Sequence, residues 1–438
     1  MSKSEKITII GGGLAGCEAA WQVASQGGYA RLFEMRPQQK TPAHKTEQLA
    51  EIVCSNSLKS DQPHKASWLL KEELRYLGSL LLKIADKVRV PAGSALAVDR
   101  QRFAAEVTKA IESAPNIDLI RKEMPVIPEK GIVIVASGPL TSSSLSQSIK
   151  EFCGQEHLYF YDAISPIVDA ETIDETKMFR ASRYKEVDGD YLNCALDQKQ
   201  YARFYKALIS AQGVNLQEFE ETRYFEACLP IEELARRGVD TLRFGPMKPV
   251  GLDDPGTGMR PYAVVQLRQE DTMETSYNLV GFQNHLKFPE QRRIFRMIPG
   301  LEHAEFLRLG QIHRNTYINS PDILSPTMAS RSNQRVFFAG QLAGTEGYIE
   351  NIGTGLVAGL NAVRLARGEP LMAFPRITAL GALCGYVSTP QKYFAPMNIN
   401  FGLLPPLETN ERIPKLEKQR LICTRALKSM SDYAIGAL

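Results

Sequence analysis

The pattern of apolar and polar positions predicts strands that alternate with helices in the first and last parts of the chain. Near the N-terminus, the β-branched run Lys6 to Ile10 predicts a strand, Leu14 to Gln26 a helix and Tyr29 to Phe33 a second strand. The other elements predicted in these parts are the helices Ser67 to Ile84, Arg100 to Ser113 and Thr354 to Arg367 and the buried strands Gly131 to Ala136 and Arg335 to Gly340. Such alternation favours a mainly parallel sheet with helices on both faces.

The middle of the chain has a different texture. Between about residues 175 and 310 aromatic and charged residues are denser, and Pro/Gly turns cluster at residues 245–258. Tyr262 to Leu267 and Tyr277 to Phe282 predict strands, and Pro230 to Arg237 a helix. We interpret residues 176–309 as a smaller α+β insertion domain, which interrupts a discontinuous α/β domain made of residues 1–175 and 310–438.

A glycine-rich turn between the first strand and the first helix, here called the glycine finger, is typical of nucleotide binding. Gly11, Gly13 and Gly16 give the spacing G-x-G-x-x-G, which provides a tight turn, close approach to a pyrophosphate and close helix packing. Glu34 ends the second strand, where an acid can hold the adenosine ribose. The nucleotide-binding residues predicted from this segment are Gly11, Gly12, Gly13, Leu14, Ala15, Gly16 and Glu34.

The later strands favour FAD over NAD as the resident dinucleotide. Gly353-x-Gly355-x-x-Ala358 resembles a second finger, but it does not follow its strand directly. Gly138 after one strand and Gly340 after another resemble two further marks of glutathione-reductase-like flavoproteins, in which the last helix points its N-terminus at the flavin. We therefore predict a Rossmann-like, glutathione-reductase-like FAD-binding domain. NAD(P)H is expected to bind only transiently.

The loop before the last helix adds further candidates for this cofactor site. Gly353 and Thr354 are predicted to contact the cofactor at the start of that helix. Tyr348 either stacks on flavin or folate or simply packs in the core, and Glu350 and Asn351 are close enough in sequence to reach polar edges of a ligand.

Composition and charge narrow the class of protein. The chain has 438 residues, of which 44% are hydrophobic and 23% charged, and its net charge is +3. No apolar run reaches the ~18 residues of a membrane span, and the N-terminus does not resemble a signal peptide, so a cytoplasmic protein is expected. Balanced charge argues against a protein that coats nucleic acid, but it allows local basic patches. Two basic stretches are candidates for RNA contact or for solvated helix faces: Lys287, Arg292, Arg293 and Arg296, and Lys415, Lys418, Arg420, Arg425 and Lys428.

The seven cysteines are widely spaced, which excludes a CxxC redox pair and a compact zinc cluster; no metal is predicted. Cys54 lies in the polar segment EIVCSNSLKS, and Cys228 lies just before Pro230, at the start of a predicted helix. A thiol near a helix N-terminus can become a reactive thiolate. Cys54 and Cys228 are therefore the candidates for chemistry, and the other five cysteines are expected to be inert.

Several longer motifs resemble one known family. The segments are GGGLAGCEAAWQ, EIVCSNSLKS, ALAVDR, FEACLPIEEL, RFGPMKPVGL, RPYAVVQLRQED and GQLAGTEGYIENIGTGLVAGLNA. They are similar to those of the folate- and FAD-dependent tRNA uracil-5-methyltransferases, the TrmFO family, which is related to the MnmG (GidA) flavoproteins. The resemblance runs from residue 7 to beyond residue 400.

The resemblance implies a reaction and roles for both cysteines. Methylenetetrahydrofolate would provide a one-carbon unit for C5 of the T-loop uridine at tRNA position 54, giving 5-methyluridine. Cys228 would add to C6 of the uracil and Cys54 would remove the C5 proton. Reduced flavin would carry the methylene and supply the hydride, with NADPH or NADH as reductant. The flipped base and the RNA phosphates would need a pocket and local basic residues.

Four alternatives stay open at this point. The same chemistry could act on ribosomal RNA, or the chain could have an MnmG-like role with a partner protein, although FEACLPIEEL argues against that role. It could also be a flavin-dependent NAD(P)H oxidoreductase without an RNA substrate. The last alternative is a flavin-stabilised RNA-binding scaffold in which both cysteines are dispensable.

Overall fold

The computed structural model describes residues 6–155, 158–183, 189–214, 229–408 and 413–437. The strands in this part of the chain are β1 (Ile7–Ile10), β2 (Ala30–Phe33), β3 (Ser57–Ser60), β4 (Arg89–Val90), β5 (Ala95–Val98), β6 (Ile117–Ile120), β7 (Ile132–Val135), β8 (Leu158–Ala163), β9 (Ile167–Asp169), β10 (Met178–Arg180), β11 (Leu192–Leu196), β12 (Ala263–Gln269), β13 (Ser276–Leu279), β14 (Phe306–Arg308), β15 (Ile312–Tyr317) and β16 (Val336–Phe338). The α-helices are α1 (Leu14–Ser25), α2 (Ala66–Tyr76), α3 (Leu80–Lys87), α4 (Arg100–Glu112), α5 (Ser143–Cys153), α6 (Gln198–Ile209), α7 (Ile231–Arg236), α8 (Thr241–Phe244), α9 (Phe288–Phe295), α10 (Ser320–Ile323), α11 (Tyr348–Ala366), α12 (Ala379–Ser388) and α13 (Lys415–Ala437).

A parallel sheet of five strands forms the centre of the first domain. Its strand order is β16-β7-β1-β2-β6, and Ile7 on β1 pairs with Ala30 on β2 and Ile132 on β7. β1 and β7 are completely buried, because helices cover both faces of a parallel sheet. The predicted α/β class is confirmed.

Helices α1 and α11 cross at very short distance beneath this sheet. A Cβ atom at Gly355 would lie 2.2 Å from the backbone oxygen of Ala15, and one at Gly359 would lie 2.7 Å from that of Ala19. The two glycines therefore bring the helix that follows the glycine finger against α11, the helix that follows β16. This contact sets the N-termini of both helices at the same end of the sheet.

The second domain contains an antiparallel sheet of six strands in the order β10-β11-β12-β13-β9-β14. Helices α6, α7 and α9 contribute Phe204, Ile231 and Phe295 to its separate hydrophobic core. The sheet begins at Ile167, so the expected boundary at residue 176 lies within it. The expectation failed because β9 is only three residues long and has no pattern of its own.

Two predicted helices have different bounds in the structure. The single helix predicted for Ser67 to Ile84 is two helices, because Gly78 has φ +74 and Ser79 caps α3 by accepting a hydrogen bond from Leu82 N. The helix predicted to begin at Thr354 begins at Tyr348, directly after Gly347 with φ +110. Gly353, which was expected before the helix, therefore lies within α11.

The segment around Cys54 leads into a small antiparallel sheet, β3-β5-β4, that the sequence did not predict. Within the described ranges, none of the helices combines the length and the apolar character needed to cross a membrane.

Glu73 provides a test of how α2 and α12 are joined. Its carboxylate is fully buried and accepts hydrogen bonds from Ala379 N at 2.7 Å and Leu380 N at 2.8 Å. Burial raises the pKa of Glu73 from 4.5 to about 8, although these two bonds act to lower it. Its contribution to stability is therefore complete below pH 4.5 and is lost as the pH rises through about 8.

We expect the stability of wild type relative to Glu73→Gln to fall by up to about 1.4 kcal/mol per pH unit across that window. Thermal midpoints of both proteins, measured at several pH values with fixed FAD, test this expectation. Glu72→Gln is the matched control, because Glu72 is partly exposed and pairs with Arg75 on the same helix. A stability difference that does not depend on pH would refute the prediction.

Candidate functional site

The glycine finger has the geometry that its spacing predicts. Gly11 follows β1 with φ +108, and Gly13 is the N-cap of α1. A Cβ atom at Gly16 would lie 1.8 Å from the backbone oxygen of Gly11, so this position requires glycine. A Cβ atom at Gly13 would have no neighbour within 4 Å, which leaves space for a ligand at the helix N-terminus.

Glu34 lies beside the finger at the end of β2. Its Oε2 accepts a hydrogen bond from Gly12 N at 2.9 Å, and its Oε1 accepts from Arg36 N and Nε at 3.0 Å each. Burial acts to raise the pKa of Glu34, but the bonds from Arg36 and Gly12 outweigh it and hold the pKa below its ordinary value. A buried, ionised carboxylate therefore faces the space in front of the finger.

This space is an open cavity. Its walls are formed by the finger, the end of β2, the turn after β7 and the start of α11. The lining residues include Ile10, Gly11, Gly12, Gly13, Leu14, Ala15, Phe33, Glu34, Ala136, Ser137, Gly138, Pro139, Leu140, Gly340, Gln341, Tyr348 and Asn351. An ionised acid, a free helix N-terminus and glycines that allow no side chain fit a dinucleotide. Two helix N-termini face the cavity, which is the arrangement expected around a flavin.

Gly353 and Thr354 lie one turn behind this lining. A Cβ atom at Gly353 would contact Leu380 at 3.1 Å, on the side of α11 that packs against α12. Thr354 Oγ1 accepts a hydrogen bond from Gly340 N at 2.9 Å, and Gly340 itself has φ +75 next to Ala15. The structure thus brings Gly138, Gly340 and Tyr348 to the cavity, whereas Gly353 and Thr354 support it from behind.

A second cavity adjoins the first. The two cavities share Val53, Pro139, Leu140, Gln341, Tyr348 and Asn351 in their linings. The second cavity is also lined by Ala43, Cys54, Ser55, Ser57, Lys59, Ile164, Gln283, Asn315, Glu346, Gly347 and Asn398. A ligand in the second cavity would therefore touch both Cys54 and the end of the first cavity where a flavin ring is expected.

Tyr348 fixes the backbone at Cys54. Its hydroxyl oxygen accepts hydrogen bonds from Cys54 N at 2.9 Å and from Ser55 N at 3.1 Å. Burial is the main cause that raises the pKa of Tyr348, and the nearby Cys54 raises it further, so the hydroxyl stays protonated. The first residue of α11 therefore joins the N-terminus of this helix to the thiol-bearing segment.

Two arginines make the surroundings of Cys54 positive. Arg100 donates from Nε to Glu270 Oε2 at 2.7 Å and from Nη1 to the backbone oxygen of Ile52 at 2.6 Å. Burial acts to lower the pKa of Arg100, but Glu270 outweighs it and raises the pKa. Burial, and then Arg100, lowers the pKa of Arg308. Both arginines interact electrostatically with Cys54 and Tyr348, and Glu270 balances part of their charge.

Lys59 is a site residue that the sequence did not single out. Its Nζ donates to Glu350 Oε1 at 2.6 Å, to the backbone oxygen of Glu346 at 3.3 Å and to Asn398 Oδ1. Glu350 is fully buried and also accepts from Ile399 N at 3.0 Å. The only sequence signal was the polar character of the segment after Cys54. The ion pair ties that segment to α11 and to the C-terminal region.

The other cysteines divide into two groups. Cys228 lies outside the described residues, which resume at Leu229 and Pro230 just before α7. Burial raises the pKa of the five remaining thiols, which disfavours the thiolate: these are Cys17, Cys153, Cys194, Cys384 and Cys423.

Most arginines of the two basic stretches make local contacts. Arg296 donates from Nε and Nη2 to the backbone oxygen of Ala304 at 3.2 and 3.0 Å, and Arg425 donates to the backbone oxygens of Pro405 and Pro406. Arg293 and Arg420 pair with glutamates three residues away. The exposed cations of these stretches that have no carboxylate partner among the described residues are Lys287, Arg292, Lys415, Lys418 and Lys428.

Comparison with known proteins gives consistent matches over almost the whole chain. A family model described as glucose inhibited division protein A matches residues 6–370. The chain is 58% identical over 439 residues to the methylenetetrahydrofolate--tRNA-(uracil-5-)-methyltransferase TrmFO of Solibacter usitatus, with 98% of this chain and 99% of that protein covered. It is 56% identical over 433 residues to the protein of the same name from Koribacter versatilis, with 98% of each chain covered.

Among solved structures, GidA of Aquifex aeolicus in its form I crystal aligns with a TM-score of 0.71. The alignment covers 98% of this chain and 76% of that chain, at 19% sequence identity. This likeness confirms the predicted fold, and the two curated relatives confirm the resemblance that the motifs indicated.

Proposed function

The chain belongs to the TrmFO family of methylenetetrahydrofolate--tRNA-(uracil-5-)-methyltransferases, and we propose from this membership that it methylates C5 of a uridine in tRNA. Methylenetetrahydrofolate is the one-carbon donor, and the enzyme is FAD-dependent. The observation that best supports the proposal is the position of Cys54. Its backbone N–H donates a hydrogen bond to the hydroxyl of Tyr348, a residue that lines both cavities.

FAD, when bound, supplies the electrons that reduce the transferred carbon to a methyl group. The residues proposed to hold it are those of the finger, Gly11 to Gly16, which receive the pyrophosphate at the N-terminus of α1. Glu34 would accept from the ribose hydroxyls, and its low pKa keeps it ionised for that role. Gly138 would leave space beside the cofactor, and Gly340 allows close packing against Ala15 at the start of α1, while Gly353 and Thr354 would act through the packing of α11.

The two thiols have different proposed roles. The sulfur of Cys228 adds to C6 of the uracil, which places the electron pair of the C5–C6 double bond at C5 and makes that carbon a nucleophile. After C5 has bonded to the one-carbon unit, Cys54 removes the C5 proton as general base, and the released electron pair expels the amine of the one-carbon carrier, which leaves an exocyclic methylene at C5. A hydride, which reduced FAD would supply when bound, then adds to this methylene to give the methyl group, while the C6–sulfur bond breaks and restores the C5–C6 double bond. Tyr348 and Lys59 hold the segment of Cys54 in the second cavity while this happens.

Finer features extend the proposal. The target is the T-loop uridine at tRNA position 54, NADPH or NADH is the reductant, and the enzyme acts in the cytoplasm with tRNA. The exposed cations Lys287, Arg292 and Lys418 are candidates for phosphate contacts.

Incubation with unmodified tRNA, methylenetetrahydrofolate and NAD(P)H, followed by nucleoside analysis, tests this function. We expect 5-methyluridine that depends on the folate and is unaffected by S-adenosylmethionine. Ribosomal RNA, offered in the same assay, should give no product. Rapid NAD(P)H oxidation without any modified nucleoside would contradict the proposal in favour of an oxidoreductase.

A further inference from the structure

The segment that carries Cys54 is held from two sides by different domains. From the parallel domain, Tyr348 accepts from Cys54 N and Ser55 N, and Arg100 donates to the backbone oxygen of Ile52. From the antiparallel sheet, Arg268 on β12 donates from Nη2 to Ser55 Oγ at 2.6 Å and from Nε to Asn56 Oδ1 at 2.8 Å. The thiol thus lies between an anchor on α11 and an anchor on β12.

Asn56 completes the second anchor. It is fully buried, and its Nδ2 donates to the backbone oxygens of Gln269 at 3.0 Å and Val98 at 3.1 Å. The backbone oxygen of Asn56 also accepts from Val98 N at 2.9 Å. Every polar group of this side chain is therefore used to join the segment to β12 and β5.

Arg268 has the properties of a positioning group. It is 6% exposed, so its two hydrogen bonds are shielded from water, and the guanidinium fork sets two acceptors at a fixed separation. A lysine at this position would keep the charge, but a single ammonium cannot reproduce the fork. A small displacement of a reacting group can cost about 10²-fold in rate.

We propose that Arg268 positions Cys54, by fixing Ser55 and Asn56 against the antiparallel sheet. The inference rests on the proposed role of Cys54 in methylation. Arg268 lies on β12 of the antiparallel sheet. Cys228, the second thiol, lies in the chain that connects β11 to β12 of the same sheet. Arg268 does not touch the reacting atoms in this proposal.

Arg268→Lys and Arg268→Gln test the proposal, with Arg260→Lys as matched control. Arg260 lies just before the same strand, but it is exposed and pairs with Asp253 at 2.9 Å. We expect both Arg268 variants to keep their FAD and their KM for tRNA, while kcat falls by about 10- to 100-fold. The control should match wild type in all three measurements.

The rate at which iodoacetamide alkylates Cys54, followed by peptide mass spectrometry, is the second readout. A segment released from β12 exposes the thiol, so the rate at Cys54 should rise in both variants while the rate at Cys153 stays constant. A purely structural role would lower the thermal midpoint without this selective change. Unchanged kcat, unchanged alkylation of Cys54, or a raised KM with normal kcat would each overturn the proposal.

Ser55→Ala provides a second test if the Arg268 variants do not fold. It removes Ser55 Oγ, which accepts from Arg268 Nη2 at 2.6 Å and from Ser57 N at 3.2 Å, and a smaller fall in kcat with faster alkylation of Cys54 is expected. Native values of both quantities in Ser55→Ala would overturn the proposal. The two proposals can also fail separately. If the variants change the alkylation of Cys54 but the wild-type protein forms no 5-methyluridine, the positioning role stands and the proposed function is refuted.

Discussion

Cys54→Ala is expected to retain FAD and bind tRNA but to form almost no 5-methyluridine. Removal of a general base costs about 10²- to 10⁴-fold in rate. Tyr348 is protonated because its pKa is raised, and Arg100 and Arg308 are cations. None of these three groups can take the C5 proton at neutral pH.

Nucleoside analysis, flavin absorbance and tRNA binding, measured on the same preparation, test the expectation for Cys54→Ala. Cys153→Ala is the matched control, because Cys153 is also partly buried and burial disfavours its thiolate. The control should methylate tRNA at the wild-type rate. Normal product from Cys54→Ala would assign the proton removal to another group.

The cofactor half of the site could be predicted because its determinants are local. The residues from β1 to the end of β2 form one continuous strand–helix–strand unit, and two important contacts of the finger are made within that unit. Gly16 meets the backbone of Gly11, and Glu34 meets Gly12. A single stretch of sequence therefore specifies both the fold of this unit and its chemistry.

The thiol half of the site depends on contacts that no local pattern reveals. Tyr348 and Cys54 are 294 residues apart in the chain, and Arg268 and Ser55 are 213 residues apart. From the sequence, Tyr348 could be either a stacking or a packing residue, and neither Lys59 nor Arg268 was given a role. Their roles follow from the packing of α11 and β12 around one segment, which only the tertiary structure defines.

Short or strained elements account for the errors in the fold. β9 has three residues, so the antiparallel sheet begins before the change in composition that suggested a boundary. Gly78 ends α2 with a positive φ, although apolar periodicity continues into α3. In α11, glycines that usually break helices are needed for contact with α1. In each case packing between elements overrides the local preference of the sequence.

Cys228→Ala is expected to be as inactive as Cys54→Ala, but its reaction should be blocked at an earlier step. Without a thiolate at C6, C5 of uracil remains a poor nucleophile, so the rate should fall by at least about 10³-fold while FAD stays bound. FAD retention is expected because the finger and Glu34 belong to the other domain. Nucleoside analysis and flavin absorbance measure these two effects.

A tRNA that carries 5-fluorouridine at the target position distinguishes the two cysteines. Fluorine replaces the proton that must leave C5, so the C6–sulfur bond cannot be released and the RNA stays attached to the enzyme. Wild type and Cys54→Ala should both form this adduct, because addition at C6 precedes proton removal. Cys228→Ala should form none, as judged by denaturing electrophoresis. An adduct in Cys228→Ala that disappears in Cys54→Ala would exchange the roles of the two thiols.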